Sequence, residues 1–334
     1  MAIHPLIYLT FQCDAEPYQP LLMSHVKNIV LGILDNPQKF QHHVITYAAM
    51  TIMKVAYGKN TPTYATDPKV VQLKYLPWYG RDLKLHTGQL EWVKEQMQSN
   101  EDISPSFTRY MLENSQSYGL TETEMAFLAG VFFGAGSDMT SASIFTVLMA
   151  ATCFPEEQAK VQAELDAVIG RHRVPTFADQ GSLPCLQAFI SEALRWRPVV
   201  SGGLAHRTTK DVIWENYCIP AGTTVLGNHW SISWDPDVYP EPHVFKPQRW
   251  IDEQGDLRDN LKFFVYSFGQ RVCPAILLVL WAYKLTLDPT KPLEPDMVFM
   301  AGSMVNFLPC TFEFEKRISE TDLRSMMQHY PGVV

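Results

Sequence analysis

The residues best suited to chemistry surround Cys273, in Tyr266-Ser-Phe-Gly-Gln-Arg-Val-Cys-Pro-Ala275. Gly269, four residues before the cysteine, permits a tight turn that a side chain would block. Arg271, two residues before it, offers a permanent cation to a carboxylate. Pro274 follows and helix formers begin at Ala275. The thiol therefore stands near a helix N-terminus, where the dipole and free N–H groups favour the thiolate. A thiolate is a nucleophile and a metal ligand, and on iron it favours O–O cleavage. A cysteine beside a hairpin is, in isolation, more often a buried structural residue, so this motif has to be weighed with its companions.

Glu192-Ala-Leu-Arg195 puts an acid and a base three residues apart on one helical face. The apolar neighbours Ala188, Phe189, Ile190 and Leu194 suggest partial burial, and a buried pair needs further hydrogen bonds to offset desolvation. Arg249, in Phe245-Lys-Pro-Gln-Arg249-Trp250, offers a second guanidinium for a charge-assisted cluster with Glu192 and Arg195. The plainer alternative is an i,i+3 salt bridge and an unrelated loop arginine. Ala135-Gly-Ser-Asp138-Met-Thr140 combines small residues with an acid and a hydroxyl. Ala135 and Gly136 let a flat ligand approach a helix backbone, and Asp138 and Thr140 are candidates for relaying protons. A helix crossing with one satisfied Asp explains the same residues. Arg207, in His206-Arg207, is a cation for a cofactor carboxylate or half of a surface basic pair.

The elements that must position these residues are mostly helical. Helices are expected over 20–34 and 38–56, with an Asn36-Pro37 break, and one ends over 91–99. Thr121-Glu-Thr-Glu124 is a capping box, opening a long, largely apolar helix over 121–152 that belongs in a protein interior. Pro155 opens a charged helix that stops at Gly170, and a further helix spans 184–196. From Arg207 the texture changes: 208–228 reads as strand, turn at Pro220-Ala-Gly222, strand. An apolar helix is expected from the cysteine loop to about 287, and a closing hairpin over 298–315. The fold class is mainly α with a small β portion, in a single domain over 1–334.

The chain has 334 residues, 46% of them apolar, enough for one large core or two domains. A net charge of −8 argues against a nucleic-acid partner. Its six cysteines show no CxxC pairing, which fits neither a zinc site nor a disulfide scaffold. No membrane anchor is evident, the longest uninterrupted apolar run being 275–283, against the roughly 20 residues of a spanning helix.

Taken in order, these segments resemble the cytochrome P450 family of haem-thiolate monooxygenases. The family pattern Ala/Gly-Gly-x-Asp/Glu-Thr, Glu-x-x-Arg, Pro-Glu-Arg-Phe/Trp and Phe-x-x-Gly-x-Arg-x-Cys-x-Gly corresponds to 135–139, 192–195, 247–250 and 266–275. Arg197-Pro, His206-Arg-Thr-Thr, Ile219-Pro-Ala-Gly-Thr-Thr and Asp235-Pro-Asp-Val-Tyr-Pro-Glu-Pro also look like the family's. Coverage is good over 120–315. The resemblance implies haem b with Cys273 as axial ligand, and Arg271 and Arg207 on its propionates. Phe268, Gly269, Ala135 and Gly136 would line the cofactor, and Glu192, Arg195 and Arg249 would lock the core beneath it. It implies transfer of one oxygen atom from O2 to an apolar small molecule, with electrons from an NADPH-dependent flavoprotein reductase. A tailoring step in fungal secondary metabolism is the expected role, and the endoplasmic reticulum surface is where the family suggests it would act.

Several residues depart from the pattern. Met139 occupies the hydroxyl position after the acid, and Thr140 lies one residue on, about 100° around the helix. Ala275 replaces a glycine, and Tyr266 a phenylalanine. The family's N-terminal anchor, first strands and early Trp-x-x-x-Arg helix have no counterpart in this sequence. The segment 67–91 looks shortened, and about two or three helical turns are missing after Ala275. The alternative to a working enzyme is therefore a degenerate member, or a non-catalytic haem- or ligand-binding remnant.

Overall fold

The computed structural model describes residues 18–59, 82–99, 105–258, 260–261, 274–288, 290 and 312–330. In chain order its main elements are helices α1 (Gln19–Asp35), α2 (Phe40–Tyr57), α3 (Asp82–Gln98), α4 (Phe107–Glu113), α5 (Ser115–Tyr118), α6 (Glu122–Cys153), α7 (Pro155–Val168) and α8 (Pro184–Trp196). Strands β1 (Ala205–Arg207), β2 (Val212–Trp214), β3 (Tyr217–Ile219) and β4 (Thr224–Leu226) follow, then α9 (His229–Ser233), α10 (Pro274–Ala282), β5 (Tyr283–Leu287), β6 (Phe312–Lys316) and α11 (Glu320–His329). The architecture is mainly α with a small β portion. Contacts group the chain into two compact units, one of residues 1–141 and 319–334, the other of 142–318.

The first unit is helical because its apolar residues recur at helical spacing. Met23, Val26, Ile29, Val30 and Ile33 form the buried stripe of α1. Asn36 breaks the helix, a single 3-10 turn over Pro37–Lys39 follows, and α2 begins. Gly58 ends α2 in the left-handed region at φ 74°, where a side chain would be strained. Ala49, Met53, Ala56 and Tyr57 of α2 then pack with Leu90 and Val93 of α3, Met111 of α4, and Met125, Ala129 and Phe133 of α6. Buried Thr108 donates to the Ala56 carbonyl at 2.7 Å, tying α4 to the end of α2. The capping box forms as read: Thr121 N–H donates to Glu124 Oε2 at 2.9 Å, and Glu124 N–H to Thr121 Oγ1 at 3.3 Å.

α6 is the one described helix long and apolar enough to cross a membrane by length and composition. The uninterrupted-run criterion passes over it because small and hydroxylated residues dilute its apolar ones. Half of its most apolar window is buried in the protein.

In the second unit, Pro155 and Pro184 open α7 and α8 at the first helical turn, where a missing N–H costs least. Two expectations for the β portion change. β2 and β3 pair antiparallel around Glu215 and Asn216, and β1 pairs antiparallel with β4 outside them. Pro220-Ala-Gly222 therefore links two different sheets. The hairpin turn escaped notice because Glu215, at φ 52°, takes a conformation normally left to Gly or Asn. The helix after the cysteine loop ends at Ala282 and not near 287, because Tyr283–Leu287 alternates and pairs with Phe312–Lys316. β6 has β5 as its partner, and the rest of the hairpin expected over 298–315 lies outside the described residues.

Candidate functional site

Glu192 and Arg195 lie on α8, both fully buried. The amphipathic α8 turns this face inward, where the pair meets the segment 233–250. Arg195 Nε and Nη2 donate to Glu192 Oε2 and Oε1, each at 2.8 Å. Lys246 N–H donates to Glu192 Oε1 at 2.8 Å, and Trp250 Nε1 to Oε2 at 2.9 Å. Arg249 Nε lies 3.2 Å from the same carboxylate. Further guanidinium hydrogens are also used: Arg195 Nη1 donates to the Ser233 and Pro242 carbonyls at 2.7 and 3.0 Å. Arg249 donates to the carbonyls of Pro240, Glu241 and Val244 at 2.6, 3.2 and 3.1 Å.

One buried anion thus serves two cations, and the surplus positive charge is spread over five backbone carbonyls. This is the extensive hydrogen bonding that a buried charge cluster requires. The cluster pins an irregular segment that has no sheet or long helix to hold it. Glu241 sits at φ 55° within that segment, a strained conformation for a non-glycine residue, and its carbonyl is one of those that Arg249 binds. Tyr239 packs beneath Arg195, 5.5 Å from ring to guanidinium, and burial pushes its hydroxyl up to about 12. Reading the sequence missed Trp250 and the Lys246 amide as partners. The signal available for the first was an indole directly after Arg249.

The central-helix residues are arranged differently. A Cβ on Gly136 would come within 2.9 Å of the Ile52 side chain, so the close approach that this glycine permits is that of α2. Ala135 is exposed, and Asp138 and Thr140 are half-buried. α6 stays helical throughout, so Asp138 and Thr140 project about 200° apart and do not converge on one point. Ser137 donates to the Phe133 carbonyl at 2.8 Å and Ser141 to the Asp138 carbonyl at 3.0 Å, so both hydroxyls are turned onto their own helix.

Arg207 lies on exposed β1, and a Cβ on Gly222 would meet its guanidinium at 3.1 Å. Gly222, at φ 84°, is thus a cradle for this cation that a side chain would fill. Cys273, Arg271, Phe268 and Gly269 lie outside the described residues. The helix they lead into does not: α10 begins at Pro274, one residue after Cys273, and is buried along its whole length, Ala275 included. Among the described cysteines, burial raises the thiols of Cys153 and Cys185, the latter to about 11, so both are held as thiols. No group of three or more His, Cys, Asp or Glu side chains that could hold a metal occurs among the described residues.

Comparison with known proteins gives this arrangement a family. The cytochrome P450 family profile matches residues 83–286. The chain is 41% identical to Cytochrome P450 monooxygenase 64 of Postia placenta over 352 aligned positions, covering 92% of this chain and 71% of that protein. It is 40% identical to Cytochrome P450 monooxygenase 113 of the same fungus, with 92% and 70% covered. A cytochrome P450 monooxygenase of Armillaria gallica is 30% identical, with 91% and 69% covered. The chain belongs to the cytochrome P450 family, whose members are oxidoreductases carrying haem b on a cysteine thiolate. The 352 aligned positions exceed the 334 residues of this chain, so the relative has residues at positions where this chain has none.

Proposed function

We propose that this protein is a haem-thiolate monooxygenase that oxidises an apolar small molecule in a tailoring step of fungal secondary metabolism. The observation that carries the reading is the closed Glu192–Arg195–Arg249 cluster. A buried, extensively hydrogen-bonded ion cluster is costly to assemble and falls apart when one member is lost. Its completeness argues for a chain still built around the family's architecture. The fungal relatives support the setting, and their printed names specify no substrate.

Cys273 is the residue proposed to hold the iron, from the N-terminal end of α10. Arg271 and Arg207 are proposed to bind the propionates. The Gly222 cradle fits this, because it leaves room for the Arg207 guanidinium beside an otherwise exposed sheet. Phe268, Gly269 and Ala135 are proposed to line the cofactor, while Gly136 seats α6 against Ile52 of α2. Bound haem supplies the activation of O2 and the transfer of one oxygen atom. Asp138 and Thr140 are proposed to hand protons to that site. Because they project to different sides of α6, the hand-over runs through ordered water. Electrons come from an NADPH-dependent flavoprotein reductase.

A second reading, a family member that does not load haem, is favoured by the nine residues of α10 and by the positions that this chain lacks. One experiment separates the two. The chain is produced with haem supplied, reduced, exposed to CO, and its Soret band recorded. A thiolate-type red-shifted band that vanishes in Cys273→Ala supports the monooxygenase. Absence of haem uptake by the folded protein overturns it.

A further inference from the structure

We propose that Arg317 and Gln162 are positioning residues that fix α10 along its axis, and through it the placement of Cys273. The inference rests on the reading of Cys273 as the iron ligand. It starts from a feature of α10 itself. Pro-Ala-Ile-Leu-Leu-Val-Leu-Trp-Ala is apolar on every side, and all nine residues are buried. Apolar packing is non-directional, so it resists removal of the helix from the core far better than it resists sliding or rotation about the axis. Side-chain hydrogen bonds from along the helix cannot set its register, since its one polar side-chain group is the Trp281 indole, near the C-terminal end.

The register is set at that end. The last four carbonyls of a helix lack partners within it. Here the chain passes directly from Ala282 into β5, with no glycine cap to turn those groups toward other donors. Arg317 supplies donors instead. Its Nη1 donates to the Leu280 and Trp281 carbonyls at 3.2 and 2.8 Å, and its backbone N–H to the Ala282 carbonyl at 3.0 Å. Gln162 Nε2 donates to the Leu280 and Tyr283 carbonyls at 3.3 and 3.0 Å. The Trp281 indole donates to the Gly170 carbonyl at 2.9 Å. Three of the last four helix carbonyls are therefore held by groups from outside the helix.

The donors are themselves held. Arg317, its side chain 7% exposed, is anchored by Asp166 Oδ1 at 2.7 Å, and Asp166 is in turn bound by Arg171. Gln162 belongs to α7 and accepts no freedom of its own, being buried beside Gln158 at 3.3 Å. Gln158 continues the clamp into β5, donating to the Leu285 carbonyl at 2.9 Å and accepting from its N–H at 2.8 Å. A guanidinium at the negative end of the α10 dipole adds to the attraction. A helix of this length is a stiff rod of about 13 Å at 1.5 Å per residue, so a shift at Ala282 arrives almost undiminished at Pro274.

The test uses the haem-loaded full chain and the CO complex of its reduced form. Its readout is the partition between the thiolate-type band and the shorter-wavelength band of haem that has lost its thiolate. Gln162→Leu and Arg317→Met keep side-chain volume and remove the hydrogen bonds. Asp166→Asn is the milder variant, leaving Arg317 in place without its anchor. Glu164→Ala, which removes a cap from α8, is a destabilised control. The folded fraction of each is fixed by circular dichroism. The expected result is loss of the thiolate-type band in folded Gln162→Leu and Arg317→Met, a smaller loss in Asp166→Asn, and none in Glu164→Ala. If the first two do not fold, Asp166→Asn against Glu164→Ala decides. An unchanged partition in the folded clamp variants, or an equal shift in Glu164→Ala, overturns the inference while leaving Cys273 as ligand. A wild-type chain with no thiolate-type band overturns the Cys273 reading and this inference with it.

Discussion

Arg195 meets Glu192 through two parallel hydrogen bonds of 2.8 Å at a position that water does not reach. The pair is three residues apart on α8, but its importance comes from residues more than fifty positions away, Lys246, Arg249 and Trp250, which complete the coordination of the same carboxylate. Replacing Glu192 by Gln keeps the shape and removes the charge. Two guanidinium groups would then be buried without an anion, at a cost of about 3–5 kcal/mol. Urea unfolding should show a matching fall in midpoint, and Arg249→Lys, which cannot serve three carbonyls and the carboxylate together, should lose less. A Glu192→Gln protein as stable as the parent would show that the cluster is not what holds the 233–250 segment.

Much of this cluster was legible in the sequence. The i,i+3 spacing put Glu192 and Arg195 on one face, and apolar neighbours signalled burial. Arg249 was legible only as a candidate, because no local rule connects a loop arginine to a helix 54 residues earlier, and the family resemblance added the order of motifs that favours it. The backbone carbonyls of the irregular segment were invisible, since their directions depend on turns such as that at Glu241. The helix ends were read well where proline or glycine marks them, as at Pro155, Pro184 and Gly170. The end of α10 was not, because the all-apolar run 275–282 carries neither period and the alternation of Tyr283-Lys-Leu-Thr-Leu287 is too short to stand out until it pairs with β6.

The N-terminus of α8 is capped from another helix. Leu183, at the N-cap position, offers no side-chain acceptor, and Pro184 has no N–H. Glu164 of α7 instead accepts the amides of Cys185 and Leu186 at 2.8 and 2.9 Å. Glu164→Ala should cost about 1 kcal/mol, the usual worth of a cap, and Glu164→Gln less, since the amide keeps one acceptor oxygen. Thermal melts of both variants check the order. Equal stability of all three proteins would mean that water replaces the carboxylate without loss.

Gly136 and Ile52 make a second testable pair. Gly136→Val forces the added carbons against Ile52, and overpacking of this kind costs about 1–3 kcal/mol. Shortening the neighbour in Gly136→Val/Ile52→Ala should recover part of that loss, so the two changes should be non-additive. Additive losses in a double-mutant cycle would place the strain elsewhere.

Thr140 tests the proposed proton hand-over. Thr140→Ala should raise the peroxide released for each O2 consumed and lower the product formed, with binding of an apolar ligand little changed. Peroxide and product yields equal to those of the parent would remove Thr140 from the route. Met139→Thr restores a hydroxyl directly after Asp138, in the direction the family pattern uses. If that direction matters, it should lower peroxide release below that of the parent.

The last prediction concerns pH. His25, on α1, is largely buried and 3.2 Å from Thr51 Oγ1 on α2. Burial first, and then the positive charge of Lys54, lower its pKa from 6.5 to about 4. The unfolded chain therefore binds a proton at His25 in a pH range where the folded chain does not. Stability from this residue is fully present above pH 6.5, falls as pH drops toward 4, and levels off below. The shift corresponds to at most about 3 kcal/mol, at 1.36 kcal/mol for each pKa unit. Burial of the neighbouring Lys54 lowers its pKa as well. Carboxylates elsewhere also contribute to acid sensitivity, so the measurement is a difference. Unfolding free energies of the parent and His25→Gln are compared at pH 7.5, 6.5, 5.5 and 4.5. The parent should lose its advantage step by step below about pH 6.5, and the variant should show a shallower slope throughout that interval. Parallel slopes would mean that His25 titrates normally in the folded protein, with α1 and α2 opening to admit its proton.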